Sequence, residues 1–186
     1  MAAPGYGGKK GAAYERMIAV MFSLWISEGT REDLLWRTAM SGGRATVKRQ
    51  RGRKADAQAG DLGSIDPMAD WFTSTFLLEL KRYHSFDWHR DVADPTSATS
   101  QKATKRPLEI FLHTVQEAKV AGRVAPMVIL RGDRCPDLIM TTGKGFRKIA
   151  PRSAKLPCTV TFPEMDCIVF RLDHLLSMVK YSDICP

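Results

Sequence analysis

The chain has 186 residues, 44% of them apolar, 26% charged and 9% aromatic. That suits one globular domain, of which about 150 residues is an ordinary size, and excludes a disordered or fibrous chain. No apolar run approaches the ~20 residues of a membrane helix and the first residues lack a hydrophobic signal core, so the expectation is a cytoplasmic protein off the membrane.

Lys and Arg number 28 against 20 Asp and Glu, a net charge of +8. Such a surplus suits a polyanionic partner, because basic groups near phosphates release counterions. Plain solubility also tolerates it. Cys135, Cys158, Cys167 and Cys185 show no CxxC pair and no zinc-ligand spacing. They read as reduced, mostly buried thiols.

In chain order, the glycine-rich residues 1–13 read as a flexible tail ahead of one domain over 14–186. Tyr14, Met17, Ile18, Met21, Phe22 and Trp25 recur at three- and four-residue steps, predicting a helix over about 14–27, ended by Gly29. Leu34 to Met40 reads as a strand closed by Ser41-Gly42-Gly43. Arg44, Lys48, Arg49, Arg51, Arg53 and Lys54 then crowd a segment with almost nothing apolar, a solvated loop suited to phosphate contact.

Asp61 to Ile65 and Thr75 to Tyr83 read as strands, the second with the strongest signal in the chain. Residues 89–107 are polar, a loop or the approach to a helix. Leu108, Phe111, Leu112, Val115 and Ala118 mark a helix stopped by Gly122. Pro126–Leu130 and Leu138–Met140 are further strands. A basic loop over 143–157 precedes strands at Cys158–Phe162 and Cys167–Leu172 and a short last helix. Helix, three strands, helix and more strands predict an α/β layer fold with a mixed sheet flanked by helices.

The chemistry-bearing segment is Thr75 to Tyr83. Side chains alternate across a strand, so Leu77, Glu79 and Lys81 share one face. A carboxylate and an ammonium on an otherwise apolar strand call for pairing or a metal ion. A solvated edge strand is the plainer explanation. Asp61 would sit beside Glu79 if the two strands form a hairpin. Two carboxylates that close repel unless a divalent cation lies between them, an arrangement that suits Mg²⁺, with Mn²⁺ as the alternative hard cation. Lys81 could then orient or deprotonate an attacking water. Asp66 is a rival ligand, but Pro67 beside it suggests a turn.

Gly60-Asp61 followed by Glu79-Leu80-Lys81 resembles the signature of the PD-(D/E)xK nuclease superfamily, with Gly60 in place of the signature proline. Over about residues 14–130 the likeness is greatest to the Holliday junction resolvases of the archaeal type and their phage relatives. In that pattern Glu15 occupies the first-helix glutamate, Leu35 to Met40 the following strand, and Ser41-Gly42-Gly43 the loop. The resemblance implies a restriction-endonuclease-like fold, a metal held by Asp61, Glu79 and the Leu80 carbonyl, and Lys81 positioning the nucleophilic water. It also implies Glu15 near the metal, Ser41 on the scissile phosphate, cleavage to a 5′-phosphate and a 3′-hydroxyl, and a homodimer acting on branched DNA. Glu15 could equally complement its helix dipole, and Ser41 an ordinary turn. Gln116 and Lys119 could face phosphates, or merely water.

Other motifs fall away. Pro136-Asp137 has no Glu-x-Lys strand after it, Gly143-Lys144-Gly145 lacks phosphate-loop spacing, His84 and His89 have no zinc-spaced partners, and no Gly-x-Ser-x-Gly elbow is present. A sequence- or lesion-specific restriction or repair nuclease, and a non-catalytic nucleic-acid-binding protein on the same scaffold, remain the rival readings.

Overall fold

The structure, a computed structural model, describes residues 6–38, 59–93, 106–150 and 156–186. Ser41 and the basic run from Arg44 to Lys54 lie outside the described residues. Helix α1 (Tyr6–Ile26) leads to a two-stranded antiparallel ribbon, β1 (Leu35–Arg37) with β2 (Leu62–Ser64). A 3₁₀ turn and α2 (Asp70–Thr75) then feed β3 (Phe76–Arg82). Helices α3 (Trp88–Ala93) and α4 (Pro107–Val120) precede β4 (Ala125–Arg131) and β5 (Leu138–Thr141). The chain closes with α5 (Gly143–Ile149), β6 (Cys158–Phe162), β7 (Cys167–Arg171) and α6 (Leu172–Met178).

The main sheet has five strands in the order β3-β4-β5-β7-β6. Only β3 and β4 run parallel, so the sheet is mixed. The parallel step needs a crossover, which α4 supplies by running back over one face. Its Leu108 and Phe111 pack there on Val128, Leu130, Met140 and Val169. Helix α1 covers the other face with Tyr14, Ile18 and Phe22 against Phe76, Leu78, Leu80, Met127 and Ile129. Alternation along β3 and β4 thus serves both cores.

Several expectations are corrected. Helix α1 begins at Tyr6, not near 14, so residues 6–13 are helical in spite of three glycines. Each costs about 1 kcal/mol relative to alanine, but extending an established helix adds one hydrogen bond per residue ordered. The stretch expected as a basic loop from 143 opens instead with α5, capped by the Thr142 hydroxyl, which accepts from the Gly145 N–H at 3.1 Å. Gly145 is there for close approach: a Cβ would collide with Thr141 Oγ1 and stand 2.8 Å from Ala125 Cβ. Of the four thiols only Cys167 is buried; Cys135 and Cys158 are exposed and Cys185 is intermediate, and none forms a disulfide. Among the described residues no helix is long and apolar enough to cross a membrane.

Candidate functional site

The expected hairpin between the strands of Asp61 and Glu79 does not form. Strand β2 pairs with β1, and α2 intervenes before β3. Asp61 reaches β3 by another route. Its N–H donates to the Leu78 carbonyl at 2.7 Å, and its carboxylate accepts from the Leu80 N–H at 2.8 Å. These bonds fall on the outer edge of β3, beyond which no strand pairs among the described residues. On the other side Thr38 clamps the same dipeptide, its N–H donating to the Asp61 carbonyl at 2.9 Å and its hydroxyl to the Gly60 carbonyl at 2.6 Å.

Gly60 makes this approach feasible. Its φ is +93°, a left-handed conformation, and a Cβ would lie 2.7 Å from the Leu78 carbonyl oxygen. Glycine at position 60 thus answers a need for close contact. Gly60→Ala is expected to cost about 1–3 kcal/mol, since a strained conformation meets a backbone clash. Urea denaturation checks it; an unchanged midpoint refutes the steric role.

Around Asp61 the structure gathers Glu15, Glu79, Lys81 and Arg37. Lys81 Nζ stands 3.8 Å from Asp61 Oδ2 and contacts Glu79 Oε1 directly. Glu15, buried on α1, is paired with Arg37 of β1 and acts electrostatically on Asp61. The cluster therefore wraps the β3 edge: Glu15 arrives from the α1 side, Glu79 and Lys81 from the other, and Asp61 stands between. Asp66 is placed elsewhere, pairing with Arg31 at 2.6 Å and accepting from the Met68 N–H at 3.0 Å.

Burial and the neighbouring Glu79 charge push the Asp61 carboxyl up to about 7, with Lys81 and the Leu80 N–H opposing and Glu15 adding a little. Burial works against the Lys81 charge, but Glu79 and Asp61 outweigh it and hold the ammonium above its ordinary range. A lysine held charged donates and orients; it does not take a proton.

Among the described residues no group of three or more His, Cys, Asp or Glu side chains is arranged to hold a metal ion. The donor set still suits a hard cation that keeps much of its water. Asp61 and Glu79 are two mutually repelling carboxylates. A residue's N–H and C=O point to the same side of an extended strand, so the Leu80 carbonyl opens to the edge where Asp61 sits. Two carboxylates and a carbonyl, completed by water and phosphate oxygens, are ordinary Mg²⁺ ligation.

Gln116 and Lys119 are not brought to this cluster. Both are exposed on the last turns of α4, at the end where β3 begins: the Val124 N–H donates to the Thr75 carbonyl. Asp137 of the discarded Pro136-Asp137 pair has a structural task, accepting from the Tyr14 hydroxyl at 2.7 Å and lying 3.3 Å from Arg131. Sequence reading missed Arg37, although the signal existed. Alternation puts it on the face of the buried Leu35, the same anomaly of a charge on a buried strand face that singles out Lys81.

No family model matches this chain, and no curated protein or solved structure matches it either.

Proposed function

We propose that this protein is a Mg²⁺-dependent DNA endonuclease on a restriction-endonuclease-like scaffold, selecting branched DNA by shape. The observation that carries the reading is the Asp61 carboxylate held by the Leu80 N–H on the edge of the strand bearing Glu79 and Lys81. It supports the resemblance drawn from Gly60-Asp61 and Glu79-Leu80-Lys81 because one short stretch of edge collects both acids, the amine and a backbone oxygen.

Asp61, Glu79 and the Leu80 carbonyl would hold the cation, which when bound supplies Lewis-acid polarisation and a more acidic water. Lys81, kept charged by its two carboxylate neighbours, orients the attacking water and offsets charge developing on the phosphate oxygens. Glu15 keeps the Arg37 guanidinium beside the cluster, where it can meet a phosphate. The basic residues Arg44 to Lys54, with Ser41, would grip the backbone and contribute affinity without base reading. Symmetric resolution of a four-way junction needs two sites, so the active unit proposed is a twofold homodimer in the cytoplasm.

The test incubates purified protein with a labelled four-way junction and with a plain duplex of matching arms, with Mg²⁺ or EDTA. Mg²⁺-dependent cutting of the junction in preference to the duplex is expected. Preference for the duplex would indicate a restriction- or repair-type enzyme; binding with no cutting in Mg²⁺ or Mn²⁺ would defeat the enzymatic reading.

A further inference from the structure

We propose that Tyr83, backed by Phe86, is the surface on which the nucleotide beside the cut phosphate lays its base, so that the site takes a strand whose base has left the duplex stack. The inference rests on the nuclease reading and deepens it by naming the local state of the substrate. The Tyr83 N–H donates to the Arg131 carbonyl at 3.1 Å, carrying the β3 ladder one residue past Arg82. Alternation therefore continues, and Tyr83 falls on the same side as Glu79 and Lys81. Two residues apart on one side of the strand, the phenol and the Lys81 ammonium are neighbours.

The ring is partly exposed and well braced. Phe86 meets it at 5.3 Å between centroids and 77° between planes, an edge-to-face contact that fixes its orientation. Phe86 is itself anchored against the core under α4, with its Cδ2 4.0 Å from where a Gly132 side chain would begin. The turn between the two rings is tied to the loop after β4: the Asp133 N–H donates to the His84 carbonyl at 3.1 Å, and His84 Nδ1 lies 3.0 Å from Asp133 Oδ2. A pre-set aromatic ring thus stands next to the amine that would meet the phosphodiester.

Acids and cations hold a phosphate whatever its base is doing. A ring adds selection, because a base within the helix has both faces covered, whereas an unstacked one presents a face for stacking. A partly exposed ring at a phosphate site therefore favours bulges, gaps and branch points over continuous duplex.

The test uses the full chain and a duplex carrying 2-aminopurine as one unpaired nucleotide beside the cut site. In EDTA, saturation with wild-type protein is expected to quench the probe several-fold; unchanged emission overturns the proposal without recourse to any variant. Y83F, which keeps the ring, should quench equally and Y83L should not. In Mg²⁺, Y83L should lower the preference for bulged over fully paired DNA, in kcat/KM, by about 5–150-fold. Retained preference in Y83L, or its loss in Y83F, would overturn the stacking role. Quenching without any cleavage sinks the nuclease reading and leaves the ring's role standing; cleavage without quenching sinks the ring's role alone.

Discussion

Lys81→Ala is expected to lower Mg²⁺-dependent cleavage by about 10²–10⁴-fold, the range for losing a group that positions a proton or meets charge in the transition state. Asp61→Asn should be at least as damaging, since it removes one of two carboxylates. Neither should abolish DNA binding in EDTA, because backbone affinity is assigned to basic residues elsewhere. The two differ in stability, however. The folded-state pKa of Asp61, about 7, lies above the ordinary carboxylate value of 3.8, so between roughly pH 4 and 7 the folded protein binds the proton that the unfolded chain releases. Stability conferred by the protonated form is full below about pH 4 and is lost as pH rises toward 7. The substituted amide would carry no charge and would still accept from the Leu80 N–H. Asp61→Asn should therefore be inactive yet more stable at pH 8, its Tm higher by several degrees, with the difference vanishing near pH 4. An Asp61→Asn protein that cuts normally, or that melts earlier than wild type at pH 8, would overturn the placement of a strained charge at this edge.

The second large effect concerns stability alone. Asp91 and Arg106 form an ion pair in which both side chains are fully buried, at 2.8 Å, and the other Asp91 oxygen accepts from the Leu108 N–H at 2.8 Å. The carboxylate thus balances a guanidinium and also caps the start of α4. Asp91→Ala would take from a buried cation its nearest counter-charge, leaving Glu109 at 3.9 Å, and would leave an N–H unmet, which together cost about 3–5 kcal/mol. Replacing both partners with apolar residues of similar volume should recover much of that loss, because a buried pair's penalty for leaving water nearly offsets its attraction. Urea midpoints of the single and double variants check this; a loss below about 1 kcal/mol in Asp91→Ala would mean the pair is replaceable, as exposed pairs are.

Much of this arrangement could be read from residues. The alternation in Phe76-Leu77-Leu78-Glu79-Leu80-Lys81 locates the strand and the face that carries its charges, and Asp61 is preferred to Asp66 because Pro67 beside the latter suggests a turn. The route by which Asp61 reaches β3 was hidden, because a hairpin and a single residue hydrogen-bonded to a strand edge leave the same local pattern. Helix α2 was hidden for a different reason. Asp70-Trp71-Phe72-Thr73-Ser74-Thr75 is rich in residues that favour strands, and six residues are too few for helical periodicity. What settles it is tertiary: Phe72 is fully buried and its ring packs, tilted, 5.0 Å from Phe22 and 5.5 Å from Phe76. Glycines misled in the same way. In Gly143-Lys144-Gly145 they imply a turn, but Gly145 serves the contact of α5 with β4 and β5.

An outermost strand offers unmet donors and acceptors to any passing chain, which is how sheets join between molecules and aggregate. In β3, outermost among the described residues, the middle of that margin is taken by Asp61, so the carboxylate proposed to hold the cation would also keep a foreign strand out. Asparagine in its place would keep the margin closed, while alanine would free the Leu80 N–H and leave an opening for a foreign strand.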